Sequence, residues 1–159
     1  MFVVATAPLA GDGYVNASPK GYDTLRILDD HTVAYLDLTG SGIETTAHVR
    51  ENGRIVLMWC AFEGPPRIVR VHGRAEILDR DDPKVAGQFG DLPGARSVIL
   101  IHAERISDSC GYSVPRYDFV EERTRLLDWA AKKSPEQLRD YRTAKNAVSI
   151  DGLPGVITS

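Results

Sequence analysis

The chain has little of several features that would place it in a specialised class of protein. Its longest apolar runs, residues 55–61 and 98–101, fall far short of the roughly 20 residues that cross a bilayer, so no membrane partner is expected. The first residues lack the basic start and apolar core of a secretory signal. A cytoplasmic location is therefore the expectation.

The chain also lacks a net positive charge and has few cysteines. Nineteen Lys and Arg stand against 22 Asp and Glu, and this balance offers no positive field for a polyanion, so nucleic acid is not expected as a partner. The two cysteines, Cys60 and Cys110, show no CxxC spacing and no clustered histidines, so no metal site is expected. Free thiols are the simplest interpretation, and a redox role is the alternative.

What the sequence does contain is ordinary globular composition. The chain has 159 residues, of which 43% are hydrophobic and 26% charged, and this combination predicts a single folded domain over residues 1–159.

Patterns of alternation and of β-branched residues predict six strands, and helical spacing predicts four helices. The predicted strands cover residues 2–7, 14–19, 32–38, 54–62, 67–78 and 96–106. The predicted helices cover residues 43–51, 82–89 and 118–132, and a last one begins at Ser134 with Pro135 in its first turn and Gln137 completing a capping box. This order predicts a mainly β, antiparallel barrel over about 2–106 with peripheral helices, in the α+β class, and a helical extension and tail over about 107–159.

The strand at residues 54–62 is apolar on both of its faces. A strand of this kind must be covered on both sides. A barrel interior supplies one cover, and a helix, a ligand or a second subunit must supply the other.

The turn at residues 39–46 carries the most chemical information. It brings Gly and hydroxyl residues directly onto the start of the first predicted helix, where free amides and the helix dipole favour an anion such as phosphate. Ser41, Thr45 and Thr46 can add hydroxyl donors. The alternative is that Ser41 only caps the helix. The turn is not a dinucleotide fingerprint, because Thr45 stands where the third Gly of GxGxxG is required.

Two basic features on the predicted strands are further candidates for binding an anion. Lys20 ends the second predicted strand and can approach the same rim, although a solvated lysine is the alternative. Arg70, His72 and Arg74 share one strand face, which suits either anion recognition or simple exposure to solvent.

Taken together, several segments resemble the FMN-binding split-barrel family related to pyridoxamine 5′-phosphate oxidase. The similar segments are NASPKG at 16–21, LDLTGSGIET at 36–45, the strand at 54–62 followed by EGPP, SCGY at 109–112 and SIDGLP at 149–154. The resemblance implies a homodimer of split barrels with flavin sites at the subunit interface.

The same resemblance implies a set of FMN-binding residues. The phosphate group would be held by Thr39, Ser41, Gly42, Thr45 and Thr46, with Ser18 and Lys20 near the ribityl chain or ring and Arg70 on the strand face that looks toward the flavin.

The implied function is that of an FMN-dependent oxidoreductase with an unknown small-molecule substrate. The turn reads Glu44-Thr45-Thr46 where true pyridoxamine-phosphate oxidases have basic residues, and the last strand lacks their Arg-x-His pair, so oxidation of that vitamin is not expected. Alternatives are an F420-dependent reductase, or a non-catalytic protein that binds flavin or haem, with His72 or His102 as the candidate haem ligands. No catalytic residue is assigned.

Overall fold

The computed structural model describes residues 1–155, which form seven strands and three helices. The strands are β1 (Phe2–Thr6), β2 (Asn16–Lys20), β3 (Leu25–Asp29), β4 (Thr32–Leu38), β5 (Arg54–Cys60), β6 (Ile68–Leu78) and β7 (Ala95–Ser109). The helices are α1 (Glu44–Asn52), α2 (Arg125–Ala131) and α3 (Pro135–Lys145).

All seven strands belong to one antiparallel sheet with the order β2-β1-β5-β6-β7-β4-β3. Three strands separate β1 from β4 in this order, yet the rings of Phe2 and Tyr35 meet edge to face with centroids 5.6 Å apart. The sheet is therefore curled so that β1 and β4 face each other across its interior. The prediction of a mainly antiparallel fold with peripheral helices is confirmed.

The curled sheet has a hydrophobic core on its inside and a smaller one on its outside. Val4, Leu57 and Ile99 are fully buried in the inner cluster, which also contains Phe2 and Tyr35. On the outer side, Val85 packs against alternate residues of β4 and β7. Full burial of each such side chain contributes about 1.5–3 kcal/mol, so the sheet is fixed from both sides.

The first and last helices end or begin as their sequences predict. Gly53 adopts the left-handed conformation with φ 69° and ends the helix after Asn52. At α3, Ser134 and Gln137 form a reciprocal capping box, with Pro135 in the first turn.

Two helix predictions are wrong, the first in kind and the second in extent. Residues 82–89 form turns rather than a helix, because Gly87 takes φ 74° and only Val85 is firmly anchored in the core. Residues 118–124 are irregular and α2 begins only at Arg125. Val120, which fitted the helical spacing, is 87% exposed and gives this segment no core contact to fold against.

The strand β3 was not predicted. It pairs with β4 at an edge of the sheet, and Ile27 at its centre is 77% exposed. An edge strand of this kind lacks the regular apolar alternation that reveals half-buried strands.

Candidate functional site

A cavity of about 230 Å³ lies where β2, the end of β4, the start of α1 and the start of β7 meet. Its lining is Asn16, Ser18, Lys20, Asp37, Leu38, Gly40, Ser41, Gly42, Ile43, Glu44, Thr45, Thr46 and Arg96. The expectation that the second strand approaches the 39–46 turn is confirmed by this arrangement.

Local geometry explains why β2 contributes alternate residues. Side chains two apart on a strand point to the same face, so Asn16, Ser18 and Lys20 all reach the cavity. The β1–β2 pairing, which sets Val4 opposite Ser18, holds this face in register.

The start of α1 faces the same space. Its N-cap is Ile43, whose side chain cannot accept a hydrogen bond, so the alternative in which Ser41 caps the helix is wrong. The first N–H groups of a helix have no partner within the helix and require one from outside. Thr45 and Thr46, both buried in the first turn, add hydroxyl groups beside these amides.

Lys20 and Arg96 bring positive charge to the cavity. Arg96 is paired with Asp37, with Nη2 2.6 Å from Oδ2, and the two side chains are only 8% and 4% exposed. Lys20 makes no ion pair with any residue among 1–155. Burial lowers the pKa of Lys20, Arg96 lowers it further, and the carboxylates of Asp37 and Glu44 oppose the change.

A chain of hydrogen bonds leads from the cavity into the interior. Asn16 Nδ2 donates to Thr45 Oγ1 at 2.9 Å and lies 3.3 Å from Thr6 Oγ1, which in turn contacts His48 Nδ1 at 3.0 Å. His48 is fully buried, and its Nε2 lies 3.6 Å from Asp151 Oδ2. Because Thr45 Oγ1 accepts from Asn16, its own proton remains available for another partner.

The structure brings together six of the eight residues singled out for cofactor binding. Ser18, Lys20, Ser41, Gly42, Thr45 and Thr46 all line the cavity. Thr39 lies behind it, with 1% of its surface exposed, and accepts a hydrogen bond from Arg142 Nε at 2.9 Å. Arg70 is not brought to the cavity and instead donates to Ser109 Oγ at 3.1 Å.

Sequence reasoning missed Arg96, Arg142 and Asn146 as parts of this site. Arg96 Nη1 donates to Asn146 Oδ1 at 2.8 Å, so the end of α3 is tied to the cavity wall. Burial, and then the neighbouring charge of Arg96, lowers the pKa of Arg142. The only local signal was the position of Arg96 at the start of a predicted strand.

None of the helices within residues 1–155 is long and apolar enough to cross a membrane. The same residues contain no cluster of His, Cys, Asp or Glu with the geometry of a metal site. Cys60 and Cys110 are both free thiols.

The fold and site define a curled antiparallel barrel with a polar cavity at its first helix, lined by Lys20, Arg96 and several hydroxyl groups. The chain belongs to the pyridoxamine 5′-phosphate oxidase family, whose model matches residues 1–110. It is 36% identical over 176 aligned residues to the pyridoxamine 5′-phosphate oxidase family protein ustO of Aspergillus flavus, a match that covers 98% of this chain and 70% of that protein.

Solved structures support the same fold. The crystal structure of HupZ from Group A Streptococcus is 27% identical, with a TM-score of 0.51 over 69% of this chain and 84% of that chain. A structure from Lactobacillus delbrueckii is 24% identical, with a TM-score of 0.51 over 67% of this chain and 82% of that chain, and bears on the fold alone.

Proposed function

We propose that this protein is an FMN-dependent oxidoreductase whose cavity at the start of α1 holds the phosphate group of the cofactor. The proposal rests on one observation. Lys20 and Arg96 line the same cavity as the hydroxyl groups of Ser41, Thr45 and Thr46, at the start of a helix. Phosphate is the group that such a set of cations, hydroxyls and free amides recognises best.

Lys20 is the charge in the cavity that favours an anionic ligand, since Arg96 is already paired with Asp37. Lys20 is partly buried without an ion-pair partner among the described residues, and its pKa is lowered by burial, so its charged form is poorly compensated. A phosphate bound beside it would supply the missing negative charge.

The size of the cavity indicates that it holds only one end of the cofactor. Its volume of about 230 Å³ is below the roughly 300–1,000 Å³ typical of small-molecule pockets. The ribityl chain and ring must therefore be covered by another surface.

A second copy of the chain is the proposed cover. A separate apolar cleft of about 530 Å³ is lined by Trp59, Val69, Val71 and residues of β3, β4 and β7. Ile27 and Ile106 at its edges are 77% and 60% exposed. Val56 and Met58 on the second face of β5 are only half-buried, which supports the expectation that this strand needs cover from a homodimer partner.

The chemistry would come from the isoalloxazine ring of FMN, which carries electrons between a donor and a small acceptor. The chain would bind the phosphate and fix the direction in which the rest of the cofactor leaves the cavity.

The test is the visible spectrum of the purified protein, recorded again after FMN, riboflavin, F420 and haem are added separately and unbound ligand is removed. The proposal expects retention of FMN, weaker retention of riboflavin, which lacks the phosphate, and reoxidation of the reduced complex by an added acceptor. Retention of F420 or haem without FMN would overturn it in favour of those alternatives, and bound FMN without turnover would indicate a flavin carrier.

The pH dependence of FMN affinity is expected to report on Lys20. Affinity should be greatest above the second pKa of the phosphate, about 6, and should fall as pH rises through the lowered pKa of Lys20, because the cation is then lost. Flavin fluorescence quenching between pH 6 and 10 measures this profile. In Lys20→Met the fall in FMN affinity at alkaline pH should disappear. An unchanged fall in affinity would show that another group is responsible.

Glu44 is expected to weaken phosphate binding. Its Oε2 lies 2.6 Å from the position that a Cβ on Gly42 would occupy, so the carboxylate folds back over the glycine turn of the cavity. Glu44→Gln should therefore tighten FMN binding by about 3- to 10-fold, a charge effect of about 1 kcal/mol. Riboflavin affinity is the control and should change little, whereas an equal gain for both ligands would contradict the charge argument.

A further inference from the structure

Asn146, at the end of α3, lies behind the glycine turn of the cavity. Its side chain is fully buried, and its Nδ2 donates to the carbonyl oxygens of Gly40 at 3.1 Å and of Ser41 at 3.3 Å. Asn146 itself does not line the cavity, whereas Gly40, Ser41 and Gly42 do. The turn thus lies between the Asn146 amide and the cavity.

These two hydrogen bonds fix the orientation of two consecutive peptide groups. In a trans peptide the C=O and the N–H point in opposite directions. Since the carbonyls of Gly40 and Ser41 point at Asn146, the N–H groups of Ser41 and Gly42 point away from it. None of the hydrogen bonds within residues 1–155 uses either N–H as a donor.

We infer that Asn146 is a positioning residue that turns the N–H groups of Ser41 and Gly42 toward the phosphate of a bound ligand. Two neighbouring amides that point into one concavity form an anion-binding nest. The inference rests on the proposed function, because it assigns donors to the same phosphate. It also places a determinant of binding outside residues 1–110, the part that the family model matches.

Two other contacts hold Asn146 in this role. Arg96 Nη1 donates to Asn146 Oδ1 at 2.8 Å, which fixes that atom as the acceptor and leaves the NH₂ group to face the turn. Gly155 lies next to Asn146, and its N–H donates to the carbonyl oxygen of Ala147 at 2.8 Å. A Cβ on Gly155 would lie only 2.0 Å from the carbonyl oxygen of Asn146, so the tail packs there through bare backbone.

The test compares the wild-type chain with Asn146→Leu, which keeps the branched shape of the side chain but removes both donors. FMN affinity should fall roughly 10-fold, at the lower end of what one hydrogen bond to a charged group contributes, and riboflavin affinity should not change. In ¹H–¹⁵N spectra titrated with inorganic phosphate, the amides of Ser41 and Gly42 should move downfield in the wild type and much less in the variant.

Ser149→Ala is the matched control. It removes the Oγ that accepts from Leu153 N–H at 3.2 Å, so it loosens the same tail without touching the turn. This variant should keep the wild-type ratio of FMN to riboflavin affinity. If Ser149→Ala lowered that ratio as much as Asn146→Leu, general loosening of the tail would explain the effect and the inference would fail.

The remaining outcomes separate the inference from the proposed function. If FMN binds and the two amides do not respond to phosphate, the inference fails and the proposed function stands. If the amides respond to phosphate in an Asn146-dependent way and FMN does not bind, the inference stands and the flavin function fails. If the wild type binds neither ligand, both are overturned.

Discussion

Replacing Arg96 by methionine is expected to lower the free energy of unfolding by about 3–5 kcal/mol. Arg96 and Asp37 form an ion pair at 2.6 Å in which both side chains are almost fully buried. Removing the guanidinium leaves the Asp37 carboxylate buried without a counter-charge, and it also leaves Asn146 Oδ1 without its donor. Urea unfolding followed by circular dichroism measures the loss, which corresponds to a fall of about 6–20 °C in Tm for a chain of this size.

Two variants make this expectation specific to the buried charge. Arg80→Met removes the same side chain from a pair with Asp91 in which the partners are 38% and 95% exposed, and it should cost less than about 1 kcal/mol. Asp37→Leu combined with Arg96→Met removes both charges and should recover part of the loss, because only Asn146 is then left unpaired. If Arg96→Met were as stable as Arg80→Met, the argument from the buried charge would be contradicted.

Much of the fold could be predicted because its signals are local. The capping box of Ser134 and Gln137 and the Gly53 helix stop depend on residues within a few positions of one another, and both are confirmed. The two apolar faces of β5 predicted a strand covered on both sides, and one of these faces is buried in the inner core through Ile55 and Leu57. The irregular segment at 118–124 could not be predicted, since helical spacing does not reveal whether a core lies opposite.

The candidate site divides in the same way. Most of its lining comes from two short segments, the β2 strand and the 39–46 turn, whose polar residues are close together in the sequence. The two segments were predicted to lie near each other. Arg96 and Asn146 could not be found, because each acts through partners about 50 or more residues away in the chain. Neither belongs to a periodic pattern, and a buried asparagine is indistinguishable in sequence from an exposed one.

Replacing Ser41 by aspartate is expected to weaken FMN binding by about 100-fold or more, which corresponds to about 2.7 kcal/mol. Ser41 is exposed and lines the cavity two residues before the N-cap of α1. A carboxylate there would face the phosphate at close range, and like charges in such a position cost several kcal/mol. Equilibrium titration by flavin fluorescence quenching measures the change.

The fold should not be weakened by the same substitution, and this separates a binding effect from a folding effect. A negative charge near the start of α1 interacts favourably with the helix dipole, so Tm should stay equal or rise slightly. Ser41→Asn, with a side chain of the same size and no charge, should keep FMN affinity within about 3-fold of the wild type, since the amides and Lys20 still hold the phosphate. Riboflavin, which carries no phosphate, should bind all three proteins alike. If Ser41→Asp bound FMN as tightly as Ser41→Asn does, the phosphate would have to lie elsewhere, and the cavity at α1 would lose its assigned ligand.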